Sequence, residues 1–173
     1  MRYSTLAVLL LGVFGAVFAG ADVTAPRVAI HSMKELPTPL PYPYDEKADD
    51  KARVDAAFAR ARADGKRVLI DFGGNWCPDC RILAAVMELP SVKPFILAHF
   101  EVVTVDIGRY SRNLDIVHRF GIQELRGAPT IVIADPDGTP VNITDSAELA
   151  DARSMTPQGI ADWLARYAVA GAE

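Results

Sequence analysis

Val68-Leu69-Ile70-Asp71-Phe72 runs directly into Gly73-Gly74-Asn75-Trp76-Cys77-Pro78-Asp79-Cys80, and few architectures accommodate both halves. A short, nearly continuous apolar run reads as a strand buried on both faces, which needs helices above and below it. The glycines and the asparagine then turn the chain. Pro78 suits the first position of a helix, where its missing N–H would have had no intrahelical partner. Cys77 falls at that helix's N-terminal boundary and Cys80 one turn in. A strand feeding a helix in this way belongs to an α/β layer architecture.

The flanking segments carry the same alternation. Val54, Ala57, Phe58 and Ala61 recur at helical spacing between Ala48 and Ala63, and Gly65 stops that helix. Ile82, Leu83, Val86 and Met87 continue the helix begun at Pro78 as far as Leu89-Pro90, and Ser91 is placed to cap another, running to about His99. Phe100 to Asp106 reads as a strand, Ser111 to Phe120 as a helix closed by Gly121, and Thr130 to Ala134 as a strand. Asp135-Pro136-Asp137-Gly138 is a turn into a return strand over Pro140 to Ile143. Thr144 to Met155 is polar and reads as irregular, and Thr156-Pro157 opens a last helix with Ile160, Trp163, Leu164 and Tyr167 on one face. The order is α-β-α-β-α-β-β-α, with parallel units first and a hairpin last.

Two segments stand outside this alternation. Arg2, the apolar stretch Leu6 to Phe18 and the small residues Ala19-Gly20-Ala21 have the layout of a signal peptide, cleaved after Ala19 or Ala21. Residues 22–46 include five prolines between Pro26 and Tyr44, which favour an extended arm, a spacer or a wrap along the domain. The expected division is therefore a leader over 1–21, a proline-rich arm over 22–46 and one domain over 47–173. The 173 residues, 50% of them hydrophobic, suffice for a core. A formal charge of −4 gives no electrostatic footprint for nucleic acid.

Two cysteines are too few for a disulfide scaffold or a four-cysteine zinc site. Export would place Cys77 and Cys80 where close thiols oxidise, yet a disulfide spanning two residues restrains the unfolded chain very little. Chemistry explains the pair better than stapling does. A helix N-terminus favours a thiolate, so Cys77 is the expected nucleophile and Cys80 the resolving thiol. Pro78 fixes the turn and removes a donor. Asp79 places a negative charge beside Cys77 and Arg81 a positive one, so these three residues tune the couple.

Asp71 before Cys77-Pro78-Asp79-Cys80, with Gly127-Ala128-Pro129-Thr130 opening a later strand, resembles the thioredoxin superfamily. The resemblance covers about Ala52 to Tyr167. Its exported members are the most alike, among them the C-terminal domain of the transmembrane periplasmic disulfide reductase. The resemblance implies a three-layer α/β/α thioredoxin fold with a mixed central sheet of about four strands. It implies that Asp71 moves protons to and from Cys80, although the lysine that often faces this acid is absent from Val102-Val103-Thr104-Val105. It also implies a cis Pro129 opposite the cysteines, with Ala128 and Thr130 beside it to pair with substrate and Trp76 as an apolar platform. The loop Gln123 to Gly127 is longer than in compact thioredoxins and is placed to reshape the substrate groove.

The expected activity is thiol–disulfide exchange on protein or small-molecule disulfides, in the reducing direction, because Asp79 disfavours the thiolate. The cofactor is none beyond the redox-active disulfide Cys77–Cys80, metal ligands are not expected, and the chain is expected to be a monomer. A reductase outside the cytoplasm needs an upstream electron donor, a membrane thiol reductase being one candidate. An oxidase or isomerase, a non-catalytic binding module and a copper-handling module on the two thiolates remain open. Arg81 stands where covalent haem attachment would need histidine. His118 reads as solvated, and Asn142-Ile143-Thr144 forms a glycosylation sequon.

Overall fold

Every residue of β1 (Arg67–Gly73) after Arg67 is buried, because both its edges and both its faces are covered. A computed structural model of the chain describes residues 23–169, so the expected leader lies outside the described residues. β1 is the central strand of a three-stranded sheet, parallel to β2 (Phe100–Asp106) and antiparallel to β3 (Thr130–Ala134). Side chains alternate across β1. Val68, Ile70 and Phe72 pack with Val54, Phe58 and Ala61 of α1 (Asp50–Asp64). Leu69 packs on the other face with Leu83 and Val86 of α2 (Pro78–Met87), Val92 and Ile96 of α3 (Val92–His99), and Trp163 of α5 (Pro157–Arg166). The result is the expected three-layer α/β/α arrangement.

Local signals fix most boundaries. Asp49 caps α1 by accepting from Ala52 N, and Gly65 ends it in the left-handed region at φ 66°. Thr156 caps α5 and Pro157 is its first residue. Two expectations change. The return strand over Pro140 to Ile143 is reduced to a single bridge between Ala134 and Pro140. The side chain of Asn142 takes the strand's place, its Oδ1 accepting from Ile133 N at 2.7 Å and its Nδ2 donating to Ile131 O at 2.8 Å. The edge of β3 is thus satisfied by this amide together with Val141 N, which donates to Ile133 O, and Ser146 O, which accepts from Ile131 N, so the sheet has three strands rather than about four. The same contacts leave Asn142 1% exposed, which removes it as a glycosylation acceptor.

The helix expected over Ser111 to Phe120 shortens to α4 (Leu114–His118). Gly108, Arg109, Tyr110 and Asn113 all have left-handed φ, and Arg112 pairs with Asp106 at 2.6 Å, so the chain after β2 forms a tight loop instead of a first helical turn. The polar stretch before α5 is irregular, as its sequence suggests, with two short 3-10 turns at Ile143–Asp145 and Glu148–Ser154.

The arm wraps the domain. Val28, Leu36 and Tyr44 are buried, and Gln158 of α5 brackets its start by accepting from Val28 N and donating to Pro26 O. Arg81 and Asn75 hold its far end beside the thiols.

Candidate active site

Cys77 is the N-cap of α2, and its sulfur is the cap. Cys80 N donates to Cys77 Sγ at 3.2 Å, so the unpaired N–H groups of the helix start point at this thiol. Across the cleft, Cys77 Sγ lies 3.2 Å from Ala128 O, and the Ala128–Pro129 peptide bond is cis. Both cysteines are free thiols, Cys77 3% exposed and Cys80 fully buried. The hydrogen bonds from Cys80 outweigh burial and bring the Cys77 pKa down to about 7. Cys80 moves the opposite way, because bonding to the Cys77 thiolate, burial and the charge of Asp71 all hold its proton on. One thiol is therefore ready to attack near neutral pH and the other is stored protonated.

Asp71 lies beneath them on β1, 1% exposed, and burial raises its pKa to about 7. Its register partners are Thr104 on β2 and Ile131 on β3, neither of which carries a charge. The group that reaches it is Tyr44 of the arm, whose Oη donates to Asp71 Oδ1 at 2.7 Å. No residue of the strand run signals this contact. The available hint was an arm that interleaves Tyr42 and Tyr44 with its prolines, spacing that a plain linker does not need.

The tuning residues are arranged differently from the sequence expectation. Asp79 is buried and bound to Arg153, which donates from its backbone N and from Nε to Asp79 Oδ1, each at 2.9 Å. Hydrogen bonds from Arg153 hold the Asp79 carboxyl below its ordinary range against the opposing effect of burial. Asp79 still raises the Cys77 pKa, but beside a guanidinium that offsets its field. Arg81 turns away. It donates to Leu40 O at 2.8 Å and Pro41 O at 3.0 Å and stacks on Tyr42 at 3.9 Å, so it braces the arm rather than the thiolate. Thr130 is also inward, 1% exposed with its hydroxyl bonded to Gly127 O. That removes its hydroxyl from substrate contact.

Trp76 is half-buried and forms one wall. Tyr110 tilts against it at 5.7 Å, and the Arg109 guanidinium lies 5.0 Å over its ring. Its indole N–H is buried without an acceptor among the described residues. From Tyr110 a groove of about 340 Å³ extends between α4 and residues Gln123, Glu124 and Leu125, so the long loop does shape the surface beside the site. Arg109 and Tyr110 escaped sequence reasoning because they sit where a helix was about to begin.

This fold and site define a thioredoxin-fold thiol–disulfide oxidoreductase. A model of thioredoxin-like proteins matches residues 49–136, from the cap of α1 to just past β3. The chain belongs to the thioredoxin-like family. It is 35% identical over 80 residues to a thioredoxin of Alicyclobacillus acidocaldarius subsp. acidocaldarius, covering 46% of this chain and 69% of that one. It is 28% identical over 91 residues to the thiol:disulfide interchange protein DsbD 2 of Pseudomonas aeruginosa, which is 50% of this chain but 14% of that longer protein. A solved structure of a disulphide isomerase from Xylella fastidiosa Temecula1 is 40% identical with a TM-score of 0.67, covering 73% of this chain and 97% of its own.

Proposed function

We propose that the protein is an exported reductase of protein disulfides that cycles through a Cys77–Cys80 disulfide and needs no other cofactor. The observation that carries this reading is the asymmetry of the pair: Cys77 capping α2 with its pKa near 7, and Cys80 buried above Asp71 with its proton held on. The Cys77 thiolate attacks a substrate disulfide, forming a mixed disulfide and releasing one substrate thiolate. Cys80 then gives its proton to the Asp71 carboxylate and attacks Cys77 Sγ. That closes the Cys77–Cys80 bond and releases the second substrate thiolate, which takes a proton from water. Two electrons pass from the dithiol to the substrate, and a dithiol donor restores the chain, a membrane thiol reductase being the partner expected outside the cytoplasm. Ala128 and the wall of Trp76 seat the substrate strand. The likeness to the thiol:disulfide interchange protein DsbD 2 supports disulfide exchange as the activity, and the layout of residues 1–21 supports export.

Isomerase activity is the second reading, favoured by the 40% identity to the Xylella disulphide isomerase. The reduction potential separates the two. A couple near about −270 mV identifies a reductase, and one near about −180 mV an isomerase. Exchange activity itself is checked with two variants: Cys77→Ser is expected to abolish reduction of a protein disulfide, and Cys80→Ser to accumulate mixed disulfides on a non-reducing gel. Full reduction by Cys77→Ser would overturn the assignment.

A further inference from the structure

Nothing in the exchange cycle explains why an arm of the chain should bury a phenol against its acid. We propose that Tyr44 is a positioning residue for proton transfer at Cys80, acting through the Asp71 carboxyl, an inference that rests on the exchange mechanism above.

The seat of Tyr44 is built from three elements. Asn75 of the active-site turn clamps its backbone twice, accepting from Tyr44 N at 3.1 Å and donating to Tyr44 O at 2.8 Å. Thr104 of β2 donates to Pro43 O at 3.1 Å. Arg81 of α2 holds the two residues before Tyr42. The ring is 4% exposed. It also needs Gly73, because a β-carbon there would lie 2.6 Å from Cys80 Sγ and 2.8 Å from Tyr44 Cζ. Phenol and resolving thiol thus meet over a bare Cα, with Asp71 alongside.

The chemistry follows from the direction of the hydrogen bond. Burial, Asp71 and Cys80 all keep the phenol protonated, so it holds a proton to donate to the Asp71 carboxylate, as the 2.7 Å contact shows. Donation favours the carboxylate and offsets part of the cost of burial. The other groups around Asp71 do not supply this. Cys77 and Cys80 of α2 present negative charge when ionised, β3 presents Ile131, and Arg53 of α1 reaches Thr104 and Asp50 instead. During resolution the Cys80 S–H proton passes to Asp71, the Cys80 sulfur bonds to Cys77 Sγ, and the substrate sulfur leaves with its electron pair. Tyr44 keeps its own proton throughout and sets the pH at which Asp71 can accept one.

The test is a stopped-flow pH series with the chromogenic aryl disulfide dithiobis-nitrobenzoate on the reduced full chain. The first thiolate released reports attack by Cys77 and the second reports resolution by Cys80. Tyr44→Phe keeps the ring and removes the donor. Its second phase is expected to shift its pH midpoint upward by about one to two units, slowing roughly tenfold at pH 7 and converging on the parent in alkali, with the first phase unchanged. In an Asp71→Asn background Tyr44→Phe is expected to add nothing. Asn75→Ala, which loosens the phenol but keeps it, shifts the same way and serves if Tyr44→Phe does not fold. Two phases in the parent with superimposed profiles in the variants overturn the role of Tyr44 and leave the exchange mechanism standing. A further shift in the Asp71→Asn background also overturns it, by showing action independent of Asp71. A parent that releases fewer than two thiolates overturns the exchange mechanism and the inference with it.

Discussion

At the scale of single residues, the thiol pair is governed by which neighbour holds which proton. Asp79 alone would oppose the Cys77 thiolate, and Arg153 is what moderates it. Replacing Arg153 by Met leaves a buried carboxylate beside the nucleophile without its cation. The Cys77 pKa is then expected to rise above about 7, and thiolate attack at pH 7 to slow severalfold. The pH dependence of iodoacetamide alkylation of the reduced protein measures this, and an unchanged profile would show that the pair does not reach Cys77. Cys77 and Cys80 were legible in the sequence because their spacing at a helix start marks them, and Asp71 and Pro129 through the resemblance to thioredoxins. Arg153 was not, because 74 residues separate it from Asp79 and it sits in a stretch with no periodic pattern.

Among elements, the edge of β3 shows how a side chain can replace a strand. Asn142 returns two hydrogen bonds to the backbone of β3 from a fully covered position. Asn142→Ala would leave a buried N–H and a buried carbonyl unpaired, each costing about 1–3 kcal/mol, and the denaturation midpoint should fall accordingly with the slope unchanged. A neutral substitution would mean that the edge is repaired by a real fourth strand. Alternation in Pro140 to Ile143 could not reveal this, since a strand and an amide mimic satisfy the same partners. The strands β1, β2 and β3 were legible from their apolar runs, and the ends of α1, α2 and α5 because Gly65, Pro78 and Pro157 each act within one turn.

For the whole molecule, Asp71 makes stability depend on pH. An unfolded aspartate titrates at about 3.9, whereas burial carries Asp71 to about 7 in the fold. Between those values the folded chain holds a proton that the unfolded chain has lost. The contribution is therefore complete below about pH 4 and is lost as pH rises through 7. Asp71→Asn has no charge to bury, so it is expected to exceed the parent in stability by roughly 2–4 kcal/mol at pH 8, with the difference vanishing near pH 4. Urea denaturation of the reduced proteins at both pH values checks this. A difference that grows toward acid would reverse the assignment. The fold thus accepts a standing cost at its centre for a group that exchanges protons near neutral pH.

The sequence by itself determined the layer architecture, the thiol pair at a helix start and the acid before it, because each is written in residues close enough to act on one another locally. The tertiary structure alone decided what those groups experience. The arm was legible as extended but not as a wall of the site, since proline fixes φ and says nothing about where a chain docks. Only the folded chain brings Tyr44 across 27 residues to Asp71 and sets Arg153 against Asp79, and a protonation state is the sum of such distant neighbours.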